Sequence, residues 1–549
     1  MKQKITRRQF LKGSSLLALT AALASCAPSP APGSAPTSAP AGASASAATS
    51  APAAVAAPTA ATAPRAGGWL KVSVSMRPNT LNPLKQVNSA EYMLGEMMYS
   101  GLTRLGKKME AVPDLATSWE HNADLTEWTF KLRKGVKFHT GDPVTPKDVV
   151  ATFKAIMDPK VASPGAKNVG PIQSVAEKGD DAVVFKLSGP YADLPISIAY
   201  TDAKIVPAKA LDNMDDLATK DFGSGPFKLV DFTPGSTVKL AKNPDYFLSG
   251  KPYLDGVIQA VYPDSTAEVG ALLNGDVDLN TQVDPSQFPR LQKQTGVVPL
   301  RTPSGQFLNL VLGCDVKPFN DPKVRQALAL SIDRKTLVDM VLEGLGSPAY
   351  DNPISSAYRF YSTVPERKQD IAKAKQLLAE AGYPNGLDIT LHAAERPGTR
   401  AILAVAVKEM AAPAGFRITV QKDAYDLYLS QVWLKGNFYV GLYNMQPTED
   451  SLFYLLYTSK ASWNETKWNN ADFDKLVEDA RKTDDEAKRK DLYAKAQLLM
   501  HDQIPAIIPF FQDLLGGQRN YVQNFYLHPR GAVFFLDEVW MTEAAPKRS

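Results

Sequence analysis

Trp463 and Trp468 stand in a polar loop downstream of Asn444 and Gln446. Indole faces beside neutral amides suit a sugar, a capped peptide or another uncharged organic solute, the rings covering apolar surface while the amides fix polar groups. The alternative is that both tryptophans only pack their own loop. Tyr443 and Met445 share the Asn444 segment, and Arg77, Asn79 and Arg396 add two guanidiniums and an amide elsewhere. Groups for covalent chemistry are scarce. No phosphate-binding Gly-x-x-x-x-Gly-Lys-Ser/Thr loop, His-Glu-x-x-His pair or Gly-x-Ser-x-Gly elbow occurs. Gly223-Ser-Gly-Pro leads into an apolar strand pattern, not into a helix that could hold phosphate. His121, His139, His392, His501 and His528 lie far apart without ligand spacing and read as structural. Asp276 and Asp278 read as solvated acids after a glycine turn, not as a metal site. Cys26 and Cys314 are the only cysteines, which excludes a disulfide framework, and Cys314 reads as a small buried apolar side chain. No catalytic residue, metal ligand or cofactor is assigned.

Binding groups need elements whose ends converge. Residues 69–76 alternate, with Leu70, Val72, Val74 and Met76 on one face of a half-buried strand. Residues 128–133 read as a strand facing inward through Phe130 and Leu132. Thr145-Pro-Lys-Asp148 has capping-box form, followed by the stripe Val149, Phe153, Ile156 and Met157. Ser265-Thr-Ala-Glu268 repeats that form, with Gly275 as the stop. Asp321, Asp333 and Asp370 read as helix caps. Between residues 387 and 444 the order is strand (Leu387, Ile389, Leu391), helix, strand (Phe416, Ile418, Val420), a helix capped by Asp426 carrying Leu429 and Trp433, and strand (Phe438, Val440, Leu442). Short connections predict a parallel sheet, whose ligands lie beyond the carboxyl ends of its strands. Those ends are residues 394–397 and 443–447, and the first strand ends at 77–80. Arg396, Tyr443, Asn444, Met445, Gln446, Arg77 and Asn79 are therefore candidate contacts, with Trp463 and Trp468; Trp433 reads as core.

The 549 residues carry 61 Lys and Arg against 57 Asp and Glu, a net charge of +4. Such a balance disfavours nucleic-acid binding. The excess is local: Lys2, Lys4, Arg7, Arg8 and Lys12 precede a short apolar run, as in an export signal, and without residues 1–25 the count is 56 against 57. Thr6-Arg-Arg-Gln-Phe-Leu-Lys resembles a twin-arginine motif, and Leu23-Ala-Ser-Cys26 resembles a bacterial lipobox whose cysteine is acylated. Residues 26–67 form a disordered Ala/Pro/Ser linker, a tether of about 35 Å if fully flexible. The expected location is the cell envelope, on the periplasmic side, lipid-anchored to the membrane.

Leu81-Asn-Pro-Leu, Met98-Tyr-Ser-Gly-Leu-Thr, Val112-Pro-Asp-Leu-Ala-Thr-Ser-Trp-Glu, Trp128-Thr-Phe-Lys-Leu-Arg-Lys-Gly-Val-Lys-Phe-His, Val144-Thr-Pro-Lys-Asp-Val-Val, Gly223-Ser-Gly-Pro-Phe-Lys-Leu, Asn320-Asp-Pro-Lys-Val-Arg-Gln-Ala-Leu and Ala379-Glu-Ala-Gly-Tyr-Pro occur in this order. Together they resemble the family 5 extracellular solute-binding proteins, the peptide/nickel-binding group, from about residue 69 to about 510. The resemblance implies an α/β, two-lobed periplasmic-binding-protein-like clamp of type II, the large peptide-binding class, with mixed sheets and two hinge crossings. Lobe I would take residues 68–310, completed by 520–549, and lobe II residues 311–519, with 307–312 and 514–518 near the crossings. It implies a non-enzymatic, monomeric substrate-binding lipoprotein that captures an oligopeptide or related organic solute and delivers it to the permease subunits of an ABC importer.

The family's dipeptide binders carry an Arg-Pro pair whose arginine meets a ligand carboxylate, and Arg396-Pro397 matches it. Their Gly-Trp-x-x-Asp motif is not matched: Leu442 stands for the tryptophan, and Met445 for the aspartate that holds the ligand's ammonium. Glu395, Glu449 or Asp450 would have to substitute, or the ligand is not an ordinary free-amino peptide. An oligosaccharide, an opine-like acid and a nickel chelate stay open as ligands, and a lipid-anchored secreted hydrolase is the reading from another class.

Overall fold

The computed structural model describes residues 63–531 and 533–548. The expected export signal, Cys26 and all but the last residues of the linker lie outside the described residues.

Strand Trp69–Val74 buries Leu70, Val72 and Val74, as its alternation requires, while Met76 beyond its end is exposed. It runs parallel to Gly256–Val261 on one side and to Leu279–Asn280 on the other. These strands belong to an eleven-stranded mixed sheet. At its other end Leu387–Ala394 and Phe416–Asp423 pair in parallel over their full lengths, joined by helix Gly398–Ala411. Strand Phe438–Tyr443 touches Leu387–Ala394 through one parallel pair, His392 with Tyr439, and is antiparallel to Val297–Leu312. The expected parallel unit is thus present, inside a mixed sheet.

Two long antiparallel strands, Val297–Leu312 and Ala506–Arg519, cross the middle of the sheet. Residues 297–302 pair with 514–519, and the register shifts between Thr302 and Gln306. Such a shift bends a strand and twists it locally. Within the shift, the Ser304 hydroxyl donates to the Pro529 carbonyl at 2.5 Å, tying the bend to the C-terminal tail. Gly305 is required here: a Cβ would sit 2.5 Å from the Tyr358 ring and 2.8 Å from Met445.

Separate apolar cores lie on the two sides of the bend. One gathers Leu308, Leu310, Val324, Leu328, Leu391, Leu403, Phe416 and Val440. Another gathers Leu70, Val72, Leu94, Met97, Val257 and Leu279. A four-stranded antiparallel sheet, Ala116–His121, Glu127–Leu132, Ala182–Leu187 and Ile172–Glu177, has its own core with helix Pro146–Met157, in which Phe153 meets Phe185 edge-on at 4.8 Å. A further cluster, including Leu105, Ile196, Phe307, Tyr358, Phe453 and Tyr493, joins the two sides. Beside it Asp193 and Arg489 form a buried ion pair at 2.5 Å.

Local chemistry follows the sequence at most caps. Asp148 accepts from the Thr145 N–H at 2.9 Å and its hydroxyl at 2.7 Å, and Asp321, Asp333 and Asp370 each accept from an N–H of the first turn. Three expectations need correction. The cap of helix Ser265–Asn274 is Asp264, which accepts from the Ala267 N–H at 2.9 Å, one residue earlier than expected. The segment expected to be a helix capped by Asp426 is a short turn, Tyr425–Leu427, capped by Ala424 and running into the π turn Tyr428–Val432. Tyr428 is its anchor, donating to the Val440 carbonyl at 2.8 Å, which leaves Leu429 41% exposed. Asp278 is fully buried, not solvated: it accepts from the Lys71 N–H at 2.7 Å and the Tyr521 hydroxyl at 2.6 Å, and pairs with Arg548.

The first correction is directly testable. Asp264→Ala is expected to lower stability by about 1 kcal/mol, as loss of a cap does, with Ser265→Ala nearly neutral; urea denaturation of both variants measures it.

Candidate functional site

The carboxyl end of Phe438–Tyr443 carries an aromatic group built on one buried acid. Glu465 is 1% exposed and accepts three hydrogen bonds: from Asn309 Nδ2 at 2.8 Å, the Tyr439 hydroxyl at 2.9 Å and the Tyr443 hydroxyl at 2.8 Å. Burial raises its carboxyl pKa, while these donors and the charge of Arg400 pull it down. Arg400 is itself buried, 4.9 Å over the Tyr428 ring, with Nε and Nη1 lacking hydrogen-bond partners. Trp433 Nε1 donates to the Tyr443 oxygen at 3.3 Å and meets Trp463 edge-on at 5.2 Å. Tyr443 and Trp463 lie 6.4 Å apart. Glu465 thus fixes Tyr443, and Tyr443 helps fix the two indoles.

The following residues are placed unequally. Asn444 is exposed and its Oδ1 accepts from Gln306 Nε2 at 2.9 Å, tying this strand end to the bend in Val297–Leu312. Gln446 donates its N–H to the Tyr358 hydroxyl at 2.9 Å. Met445 is 1% exposed and packs beside Tyr358 at Gly305. Trp468 is buried against Phe473 at 5.0 Å, the loop-packing alternative. On the neighbouring strand end the Arg396 side chain is 72% exposed, 3.9 Å from Glu395 and 5.4 Å over the Tyr425 ring. Its donors face solvent, as a guanidinium that meets a solute carboxylate requires. Across the sheet, Arg77 and Asn79 are exposed beyond Trp69–Val74, where Asn79 Nδ2 donates to the Arg77 carbonyl at 3.3 Å. Tyr443, Asn444, Gln446 and Trp463 therefore form one group, with Trp433 and Gln306 added by the structure.

Two of the acids proposed to replace an aspartate at position 445 are already engaged. Glu449 accepts from the Phe360 N–H at 2.6 Å, and burial pushes it up to about 7. Asp450 lies 3.1 Å from Arg481 and is pushed up to about 6 by burial. Glu395 is exposed. The histidines serve structural bonds: His139 bridges Asp221 and the Gly225 carbonyl, His392 meets Asp423, His501 the Tyr350 carbonyl, His528 the Gly106 carbonyl, and His121 the Asn122 carbonyl. The Cys314 thiol is pushed up to about 11 by burial, away from reactivity at neutral pH. Among the described residues no group of three or more His, Cys, Asp or Glu side chains is arranged to hold a metal ion, and no helix is long and apolar enough to cross a membrane.

Sequence reasoning missed Glu465, Arg400, Gln306 and Tyr358. Their partners come from distant strands and loops, so no local spacing marks them. Trp433 packs against the buried Tyr428 and Tyr439 cluster, as expected of a core residue, and its position after the π turn also brings its N–H to Tyr443.

The family described as bacterial extracellular solute-binding proteins, family 5 Middle, matches residues 110–466. The oligopeptide-binding protein AppA of Bacillus subtilis is 28% identical over 508 residues, covering 87% of this chain and 93% of that protein. The structure of AppA in complex with a nonapeptide superposes with a TM-score of 0.72 at 26% identity, over 87% of this chain and 100% of that one. The binding protein AgaA from A. tumefacien R10, in complex with agropinic acid, is equally similar, with a TM-score of 0.72, 27% identity, and coverage of 87% and 99%.

Proposed function

This chain belongs to the bacterial extracellular solute-binding proteins of family 5, and on that premise we propose that it captures an oligopeptide or related organic solute and hands it to the permease of an ABC importer. The solute lies between two lobes, residues 68–310 with 520–549 and residues 311–519, which hinge where the long central strands change register. The observation that carries this reading is the bend at residues 303–305, with the exposed groups Arg396 and Asn444 at strand ends on one side and Arg77 and Asn79 on the other. Opposed strand ends around a bent two-strand crossing suit hinge closure on a solute. Arg396 takes a ligand carboxylate, and Tyr443, Trp463, Asn444 and Gln446 provide the aromatic and amide surface. The protein acts without catalysis, as a monomer, exported by the twin-arginine motif and anchored through acylated Cys26.

Mass spectrometry of solute co-purified with the full chain tests this. Peptides or small organic acids recovered unchanged support it; a processed product, or no binding of any such solute by thermal shift, overturns it. Arg396→Ala is expected to weaken binding of free-acid peptides about tenfold or more, the effect of losing charged hydrogen bonds, and to leave C-terminally amidated peptides unaffected. Equal losses for both would remove Arg396 from the carboxylate role.

A second reading, an opine-like acid as the natural solute, draws on the burial of Met445 and the engagement of Glu449 and Asp450, which leave the 445–450 segment without a free acid for an ammonium. The AgaA complex with agropinic acid supports the same reading.

A further inference from the structure

Strands Trp69–Val74 and Leu279–Asn280 end beside a small cavity, about one water molecule in size, lined by Ser73, Ser89, Glu268, Thr281, Gln282 and Gly531 among others. Glu268 comes from the first turn of helix Ser265–Asn274 and is 2% exposed. Its Oε2 has no hydrogen-bond partner. Burial pushes its carboxyl up to about 7; the hydroxyls of Ser75 and Ser73 act against this as hydrogen-bond donors, and the charged neighbours, Asp284 and Asp264, are acids that add to the rise.

The other buried acids are provided for. Glu449 holds an N–H, Asp450 faces Arg481, and Glu465 accepts three donors. Asp202 also lacks hydrogen-bond partners and is pushed up by burial, yet Arg530 and Lys204 act on it as counter-charges. Among the described residues Glu268 is the buried acid with a raised pKa that has hydroxyls but no cation acting on it, and a buried carboxylate without a counter-charge is costly. The cavity is not remote from the candidate contacts. Ser89, in its lining, follows Asn88, whose Nδ2 donates to the Arg77 carbonyl at 3.3 Å, the same carbonyl that Asn79 Nδ2 meets.

We propose that Glu268 receives the free ammonium of a peptide ligand, the task that Met445 cannot perform. This rests on the peptide reading above. An ammonium is close to a water molecule in size and carries three donors. One would meet Glu268 Oε2; the hydroxyls of Ser73, Ser89 and Thr281 and the amide oxygen of Gln282 line the same space as acceptors for the others. A charge-assisted bond to the buried carboxylate replaces the hydration the ammonium loses on entry.

The test uses the full chain and a pool of randomised tetra- and pentapeptides, half of each with a free amino group and half N-acetylated. Captured peptides are counted by mass spectrometry. The wild-type protein is expected to enrich free-amino over acetylated peptides about tenfold or more, and Glu268→Gln to lose that preference while still capturing peptides. Capture without preference by the wild type, or a preference retained in Glu268→Gln, overturns the assignment and leaves the peptide reading standing. Capture of neither kind by the wild type overturns the peptide reading, and this one with it. Should Glu268→Gln fail to fold, as its melting curve would show, the wild-type ratio and Glu268→Asp decide: the shorter side chain is expected to reduce the preference, and an unchanged ratio counts against the role.

Discussion

Replacing Glu465 by alanine is expected to destabilise the protein by about 3–5 kcal/mol, the cost of breaking a buried charged network by removing one partner. Three donors converge on this carboxylate, from Asn309, Tyr439 and Tyr443. Alanine leaves all three buried without an acceptor, and each orphaned polar group costs about 1–3 kcal/mol. It also removes the acid whose charge acts together with that of buried Arg400. Glu465→Gln keeps one oxygen but turns an NH2 toward groups that are themselves donors, so its loss falls between wild type and alanine. Tyr443→Phe removes a single donor, and its cost is expected near 1 kcal/mol. Urea denaturation measures all three. A double-mutant cycle between positions 465 and 443 shows whether the hydroxyl acts through the carboxylate. A loss below about 1 kcal/mol for Glu465→Ala would show that water takes over the carboxylate's place.

This acid also shows where the sequence stops being informative. The strand pattern of residues 387–444 was legible because period-2 alternation and short connections specify local structure, and Leu387–Ala394, Phe416–Asp423 and Phe438–Tyr443 form as expected. The caps at Thr145, Asp321, Asp333 and Asp370 were legible for the same reason, since each bond spans a few residues. The 425–433 segment was not, because its conformation is set by Tyr428 reaching the Val440 carbonyl on a strand formed later in the chain. Asp278 was misread as solvated because its donors, Tyr521 and Arg548, come from the far end of the sequence. The exposed groups Arg396, Asn444, Arg77 and Asn79 stand at strand ends that the alternation marks, Arg396 also through the Arg-Pro pair that the family resemblance supplies. Of the buried acids, Glu465, which holds Tyr443, carries no local signature, and Glu268 carries only a capping-box spacing whose cap is Asp264 in the structure. Burial distinguishes them, and burial is a property of the assembled fold.

The same burial governs the response to pH: the protein is expected to be more stable near pH 5 than at pH 8, by about 3 kcal/mol or more. Asp202, Glu268 and Glu449 are each pushed up to about 7 and Asp450 to about 6, chiefly by burial, from ordinary values of 3.8 for aspartate and 4.5 for glutamate. Between pH 4 and 7 the folded protein therefore holds protons that the unfolded chain releases. Stability from a raised pKa is complete below the unfolded value and is lost as pH rises through the folded one, so these four groups favour the acidic side. Buried histidines oppose them. His528 is lowered to about 4 and His501 is lowered as well, both by burial, so each withdraws stability as pH falls below the ordinary histidine value of 6.5. Asp221 and Asp537, held below the usual range by His139 and Arg104, add a loss only at more acidic pH. These four, with Asp114 and Glu465 also raised by burial, outweigh two lowered histidines and leave a net gain on going from pH 8 to pH 5, with a turnover below that. Calorimetric melting at pH 4, 5, 6.5 and 8 measures the profile. A melting temperature that rises steadily from pH 5 to pH 8 would refute it, and Glu449→Gln, which removes one raised carboxyl, is expected to flatten the slope between pH 5 and pH 8.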